Sequence, residues 1–184
     1  MFDSWLKPKD SKLNLKYSKP IIHAVLGTPI NAPPSTNEEE IYFACGCFWG
    51  AEKAFWKLPG VVTTSVGYAG GNTEYPNYKE VCSGNTNHAE VVRVEFDPKI
   101  ISYEKILNFF FEIHDPTTLN SQGPDFGTQY RSEIFFLDNN QKNIAEKTLK
   151  KINNKFSGKI VTKISLIKNY CPAEEYHQRY LEKR

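Results

Sequence analysis

Apolar and polar residues alternate along this chain with two periods, and the changes of period mark its elements. Ile41-Tyr42-Phe43-Ala44 is a short unbroken apolar run that reads as a buried strand. Ala51 to Leu58 carries apolar residues at helical spacing and stops before Pro59-Gly60, which predicts one amphipathic helix. Gly60 to Tyr68 is β-branched and reads as a second strand. Ala89 to Phe96 alternates residue by residue. Glu90, Val92, Val94 and Phe96 share one face, and Val91, Arg93 and Glu95 share the other. Ser102 is placed to cap a helix from Tyr103 to Ile113, with Ile106, Leu107, Phe110 and Phe111 on its apolar stripe. A strand follows over Ser132 to Leu137. Asp138 with Gln141 then forms a capping-box-like start to a polar helix running to about Lys155. Ile160 to Ile167 reads as a last strand, and Pro172 opens a C-terminal helix over Ala173 to Lys183.

Two stretches lack either period. Ala69 to His88 and His114 to Tyr130 read as long polar loops, and loops of that length in a compact domain are usually functional. Residues 1–40 hold five of the eleven prolines, which rules out a long helix or central strand there. They read as an extended N-terminal arm with Ile21-Ile22 and Val25-Leu26 as apolar anchors, and residues 41–184 as the domain it wraps. The fold class is α+β: a single domain with a central mixed or antiparallel sheet covered by helices.

Composition narrows the class further. The 184 residues suffice for one domain with its own core, and 40% hydrophobic with 24% charged residues describes a globular chain. A formal charge of +2, without dense Lys/Arg clusters, carries no nucleic-acid or membrane signature. The first residues lack the basic and apolar regions of a secretory signal. Four cysteines do not make a disulfide framework in a chain this size, which fits a reducing, cytoplasmic compartment. None of them has the spacing of a structural zinc site, so no metal is expected.

The chemistry concentrates at Cys45-Gly46-Cys47-Phe48-Trp49-Gly50, where a strand hands over to a helix. A thiol there meets unpaired backbone N–H groups and the positive end of the helix dipole, so its pKa is expected to fall. The flanking glycines allow a tight turn and leave the sulfur open. Phe48 and Trp49 put two aromatic surfaces beside it. A lone cysteine at a glycine turn is more often inert and buried; the combination favours function. Glu90 points to the apolar face of its strand, where desolvation would raise its pKa and make it a general acid. It could equally be a strand-end carboxylate reaching solvent. Tyr75, Tyr78, Tyr130 and Asp125 lie in the polar loops, as hydrogen-bonding groups for a substrate or as ordinary loop residues. His88 near Glu90 could belong to a Cys–His hydrolase, though no clear orienting partner follows from the sequence, and His177 reads as a structural or surface residue.

Gly46-Cys47-Phe48-Trp49-Gly50, Tyr68-Ala69-Gly70-Gly71, Tyr78 to Gly84, His88-Ala89-Glu90, His114-Asp115-Pro116, Asp125 to Ser132 and Ala173 to Gln178 together resemble the peptide-methionine (S)-S-oxide reductases, over roughly residues 41–180. The resemblance implies a ferredoxin-like core and thiol-dependent reduction of the S epimer of methionine sulfoxide, free or in proteins, with no cofactor. It implies Cys47 as nucleophile, Glu90 as general acid, Tyr78, Tyr130 and Asp125 around the sulfoxide oxygen, and Phe48 and Trp49 as walls for the methyl group. It also implies a monomer that works in protein repair under oxidative stress. Recycling departs from the family pattern. The Gly-rich tail that carries resolving cysteines in many relatives is not found, Cys171 stands where an aromatic residue is common, Cys45 is unusual, and Cys82 matches a commonly buried position. Either Cys171 resolves the sulfenic acid, with thioredoxin as reductant, or an external thiol such as glutaredoxin with glutathione does so directly.

Overall fold

The computed structural model describes residues 19–184. In chain order it contains β1 (Glu39–Cys45), α1 (Phe48–Trp56), β2 (Val61–Ala69), α2 (Tyr78–Cys82), β3 (Ala89–Phe96), α3 (Tyr103–Glu112), a hairpin of β4 (Ser121–Gln122) and β5 (Asp125–Phe126), β6 (Ser132–Phe136), α4 (Asn139–Asn153), β7 (Lys163–Leu166) and β8 (Cys171–Pro172). Six strands form one sheet in the order β7-β6-β1-β3-β2-β8. Every pairing in it is antiparallel except β6 with β7. The sheet is therefore mixed, as the alternation of elements implies.

One face of the sheet is apolar and carries α1, α3 and α4. Phe43 sits between Phe55 of α1 at 5.2 Å and Phe110 of α3 at 4.9 Å, both nearly parallel to it. Such fully desolvated rings each stabilise the fold by about 1.5–3 kcal/mol. Glu90, Val92, Val94 and Phe96 face this side, as their alternation predicts. Ser102 caps α3 through Lys105 N–H, and Asp138 caps α4 through Gln141 N–H. The predicted box is incomplete. The Gln141 side chain turns back to Leu137 N–H and to the Glu40 carbonyl, tying α4 to β1.

Among the described residues, the opposite face is packed by Leu137, Ile167 and Tyr170 and by no helix. Tyr42, Val91 and Phe135 lie there with a buried ion cluster, in which Arg93 Nε meets Glu40 at 2.6 Å and its Nη2 meets Glu95 at 2.9 Å. Arg93 also donates to the Ala32 carbonyl, so residues before β1 help cover this face. Tyr170 closes it against Tyr42 at 4.8 Å.

Several boundaries differ from the sequence reading. The first eighteen residues of the expected arm lie outside the described residues. Of its named anchors, Ile22 and Val25 are exposed; His23 and Ile30 are buried instead, and Leu26 packs on the core. A hydrogen bond of His23 to Thr64 and an Ile22–Pro29 bridge organise this segment locally. The loop Ala69–His88 contains α2, started by a full capping box between Asn77 and Glu80. The loop His114–Tyr130 contains the β4–β5 hairpin. The C-terminal helix does not form: only Glu175–His177 makes a 3₁₀ turn, and Pro172 lies in edge strand β8. Tertiary hydrogen bonds replace the helical ladder there. Gln178 pairs its amide with Val66, Arg179 gives its N–H to Glu52, and Arg179 takes a left-handed backbone with φ +51.

Arg93→Ala is expected to destabilise the protein by about 3–5 kcal/mol, because it leaves Glu40 and Glu95 buried without their counter-charge. A lower urea midpoint with an unchanged slope measures it.

Candidate active site

Antiparallel register gathers the site at one end of the sheet. β1 ends at Cys45, opposite the start of β6 at Ser132; Phe43 pairs with Val92, so β3 begins beside the same end. Tyr68, near the end of β2, pairs with Glu90. Gly46 makes the turn from β1 with φ +89, and a Cβ there would lie 2.7 Å from Gln122, so only glycine fits. Cys47 follows as the N-cap residue of α1, which starts at Phe48, earlier than its apolar spacing indicates.

The bond that joins the two halves runs from Phe48 N–H to Glu90 Oε2, at 3.0 Å. Glu90 is 2% exposed. Burial, opposed by that N–H and reinforced by the charge of Asp125, pushes its pKa from 4.5 up to about 7. The carboxyl is therefore an acid that holds its proton to near neutrality. Because Phe48 N–H occupies Oε2, the proton belongs on Oε1.

Cys47 differs from the expectation. The N–H groups of Trp49 and Gly50 do favour its thiolate, without forming a capping hydrogen bond. Burial and the charges of Glu90 and Asp125 outweigh them, and the thiol pKa is raised. The helix terminus loses chiefly because the sulfur is buried, and the two carboxylates add to that. With Glu90 protonated, its share of that repulsion vanishes, so the two groups titrate as a coupled pair.

The remaining predicted groups converge on this pair. Burial raises the Tyr130 hydroxyl to about 12, and the charges of Glu90, Cys82, Asp125 and Cys47 add to the effect. Burial and hydrogen bonding to Cys82, with the charge of Glu90, raise Tyr78. Both phenols stay protonated and can donate. Phe48 is buried between Tyr68 and His177, at 5.9 and 5.2 Å. Trp49 is half-buried; it gives its indole N–H to His177 Nδ1 at 3.0 Å and stacks on Tyr180 at 3.7 Å. His177 and Tyr180 thus hold the aromatic wall. Sequence reasoning missed them because the helix expected there would have spread these residues differently. The His88 ring accepts Gly71 N–H and bonds the Thr73 carbonyl, so it serves the loop structure.

The other cysteines separate clearly. Cys45 is buried, and desolvation pushes it to about 12. Cys82, expected to be buried, is exposed; Val81 takes the inward position of short α2 instead. Cys171 is buried on the far side of Tyr68, which pairs with it on one flank and with Glu90 on the other. Two strand spacings put it about 10 Å from Glu90, Cα to Cα.

The family model for peptide methionine sulfoxide reductase matches residues 39–184. The peptide methionine sulfoxide reductase MsrA of Pelagibacter ubique (strain HTCC1062) is 75% identical over 139 residues, covering 76% of this chain and 95% of its own. Reduced Mxr1 from Saccharomyces cerevisiae superposes with a TM-score of 0.79 at 43% identity, covering 83% of this chain and 89% of Mxr1. Mxr1 in complex with Trx2 gives 0.60 at 29%, covering 81% and 89%.

The raised Glu90 has a consequence for stability. Its folded pKa, about 7, exceeds the ordinary 4.5, so the folded state binds this proton more tightly than the unfolded one. The stability this proton brings is complete below the ordinary value and is lost as pH rises through the folded one. Glu90→Gln is therefore expected to be more stable than the parent at about pH 8, by up to about 3 kcal/mol, and no more stable at about pH 4. Urea midpoints at the two pH values check it.

Proposed function

The chain belongs to the peptide methionine sulfoxide reductase family, an oxidoreductase that reduces methionine sulfoxide and so repairs oxidised proteins; from this premise we propose how its residues carry the reaction. Cys47 attacks the sulfoxide sulfur as thiolate. Glu90 gives its Oε1 proton to the sulfoxide oxygen, a poor leaving group until protonated. The oxygen ends on Cys47 as a sulfenic acid, the sulfoxide is reduced by two electrons, and methionine leaves. The single observation that carries this reading is Glu90, neutral up to about pH 7 and fixed by Phe48 N–H beside the Cys47 turn.

Tyr78 and Tyr130 donate to the oxygen, and Asp125 holds the water or oxygen beside them. Phe48 and Trp49 receive the methyl group. Methyl on aromatic rings, oxygen on the acid and sulfur on Cys47 make three fixed contacts about a chiral sulfur, so one epimer fits. The family relationship makes it the S epimer. The strand–helix–strand–strand–helix–strand order of the four central strands supports a ferredoxin-like core, and the protein is read as a monomeric, cytoplasmic enzyme. Among the described residues no helix is long and apolar enough to cross a membrane.

Recycling requires a second thiol, which converts the sulfenic acid to a disulfide and water. An internal bridge needs Cα atoms within about 7 Å. The burial of Cys171 behind Tyr68 supports the external route, in which thioredoxin or a smaller thiol such as glutathione with glutaredoxin attacks Cys47 directly. Mxr1 captured with Trx2 makes thioredoxin the first candidate. Internal resolution by Cys171 stays as the second route.

Single turnover without reductant separates these steps. Mixing with excess methionine-S-sulfoxide is expected to release about one methionine per chain with one thiol lost, and two thiols lost would mean an internal disulfide, traced by mapping Cys171. In the same assay Glu90→Gln is expected to lower the rate about 10²–10⁴-fold. Thiolate beside neutral acid holds one proton in all, so the parent rate is expected to rise up to about pH 7 and to fall only where the pair loses its last proton at higher pH, and the variant lacks that falling limb. A loss under about threefold in the variant removes Glu90 from the role.

A further inference from the structure

Glu52 has no part in the chemistry above, yet it is fully buried on the helix that Cys47 begins. Its two oxygens reach different parts of the fold. Oε1 accepts the Thr64 hydroxyl of β2 at 3.1 Å, and Oε2 accepts the backbone N–H of Arg179 at 2.8 Å. Thr64 in turn meets His23 Nε2 at 2.8 Å. His23 Nδ1 accepts the N–H groups of Val25 and Leu26, so the ring proton sits on Nε2 and points to Thr64. A directed chain of donors runs from the segment before β1 into one buried carboxyl.

Burying that carboxyl is costly, and desolvation pushes it up to about 7 despite the Arg179 N–H, the Thr64 hydroxyl and the charges of Arg179 and Lys183. What it holds is a turn. Arg179 has φ +51, a left-handed conformation that is strained for any residue with a Cβ. Directly before it, Gln178 is anchored to Val66 N–H and C=O at 2.8 and 2.7 Å. Directly after it, Tyr180 lies flat on Trp49, 10° from parallel. Between the anchor and the stack the backbone turns at Arg179, and the N–H of that turn belongs to Glu52.

We propose that Glu52 is a positioning residue of the substrate pocket: by holding the left-handed turn at Arg179 it sets the Tyr180 ring on Trp49 and fixes the wall that receives the sulfoxide methyl group. The proposal rests on Trp49 being that wall. A loosened wall weakens ground state and transition state alike, so KM rises while kcat changes little.

The test measures kcat and KM for a peptide carrying methionine-S-sulfoxide in the parent, Glu52→Gln, Tyr180→Ala, their double variant and Trp49→Ala. Glutamine keeps the shape of Glu52 but cannot accept both donors with its single oxygen. Each of the first two variants is expected to raise KM about tenfold with kcat within about threefold, and the double variant to be no worse than the worse single one, because both act on one ring pair. Additive losses, or a parent-like KM in Glu52→Gln, overturn the proposal. If Glu52→Gln does not fold, Tyr180→Ala decides: a parent-like KM there overturns it equally. A parent-like KM in Trp49→Ala instead defeats the reading of the wall, a separate failure.

Discussion

Phe48 gives its backbone N–H to Glu90 across 3.0 Å, and that bond links a helix start to a strand start that lie 42 residues apart in sequence. It depends on register. A one-residue slip of β3 against β1 would turn Glu90 to the other face of the sheet, together with Val92, Val94 and Phe96. The apolar core under α1 and α3 therefore fixes more than stability. By setting the register it decides that a carboxyl, and not a valine, stands next to the Cys47 turn.

The same burial creates a conflict of charges at the site. A helix N-terminus alone would favour the Cys47 thiolate, but desolvation with two nearby carboxylates holds the proton on sulfur. Glu90 meets the matching problem and keeps its proton to about 7. One negative charge distributed between the two groups is tolerable near neutrality, and two are not. In the proposed reaction the attacking arrangement, thiolate beside neutral acid, has the same proton count as thiol beside carboxylate. Conversion between them needs no proton from solvent, only a substrate that stabilises one distribution over the other. The cost of the buried acid is a loss of folding free energy above neutrality, as is common where activity and stability compete.

Two different kinds of scaffold support this end of the sheet. The back face is held by ion pairs about Arg93 that never approach the site. The aromatic wall is held by the last residues of the chain, through Glu174 to Tyr68 and Tyr78, Gln178 to Val66, and His177 and Tyr180 to Trp49. None of those bonds is local, so this segment has its shape only when the sheet is already formed.

By resemblance the sequence joined Cys47 to Glu90, and by itself it determined five of the six strands of the sheet and the helices α1, α3 and α4 with the caps on the latter two. Those follow from periodicity and side-chain chemistry within short windows, which is where local sequence carries its information. Tertiary structure alone decided the rest. The expected C-terminal helix became an irregular strap because Glu52 and the Val66 backbone offered its backbone and its Gln178 side chain better partners than the helical ladder. Cys171 was shut behind Tyr68 and His177 entered the aromatic wall, both through neighbours more than ten residues away. The Cys47 pKa moved opposite to its local signal for the same reason: a helix terminus is written in sequence, but the burial that opposes it, helped by the nearby carboxylates, arrives only with the fold.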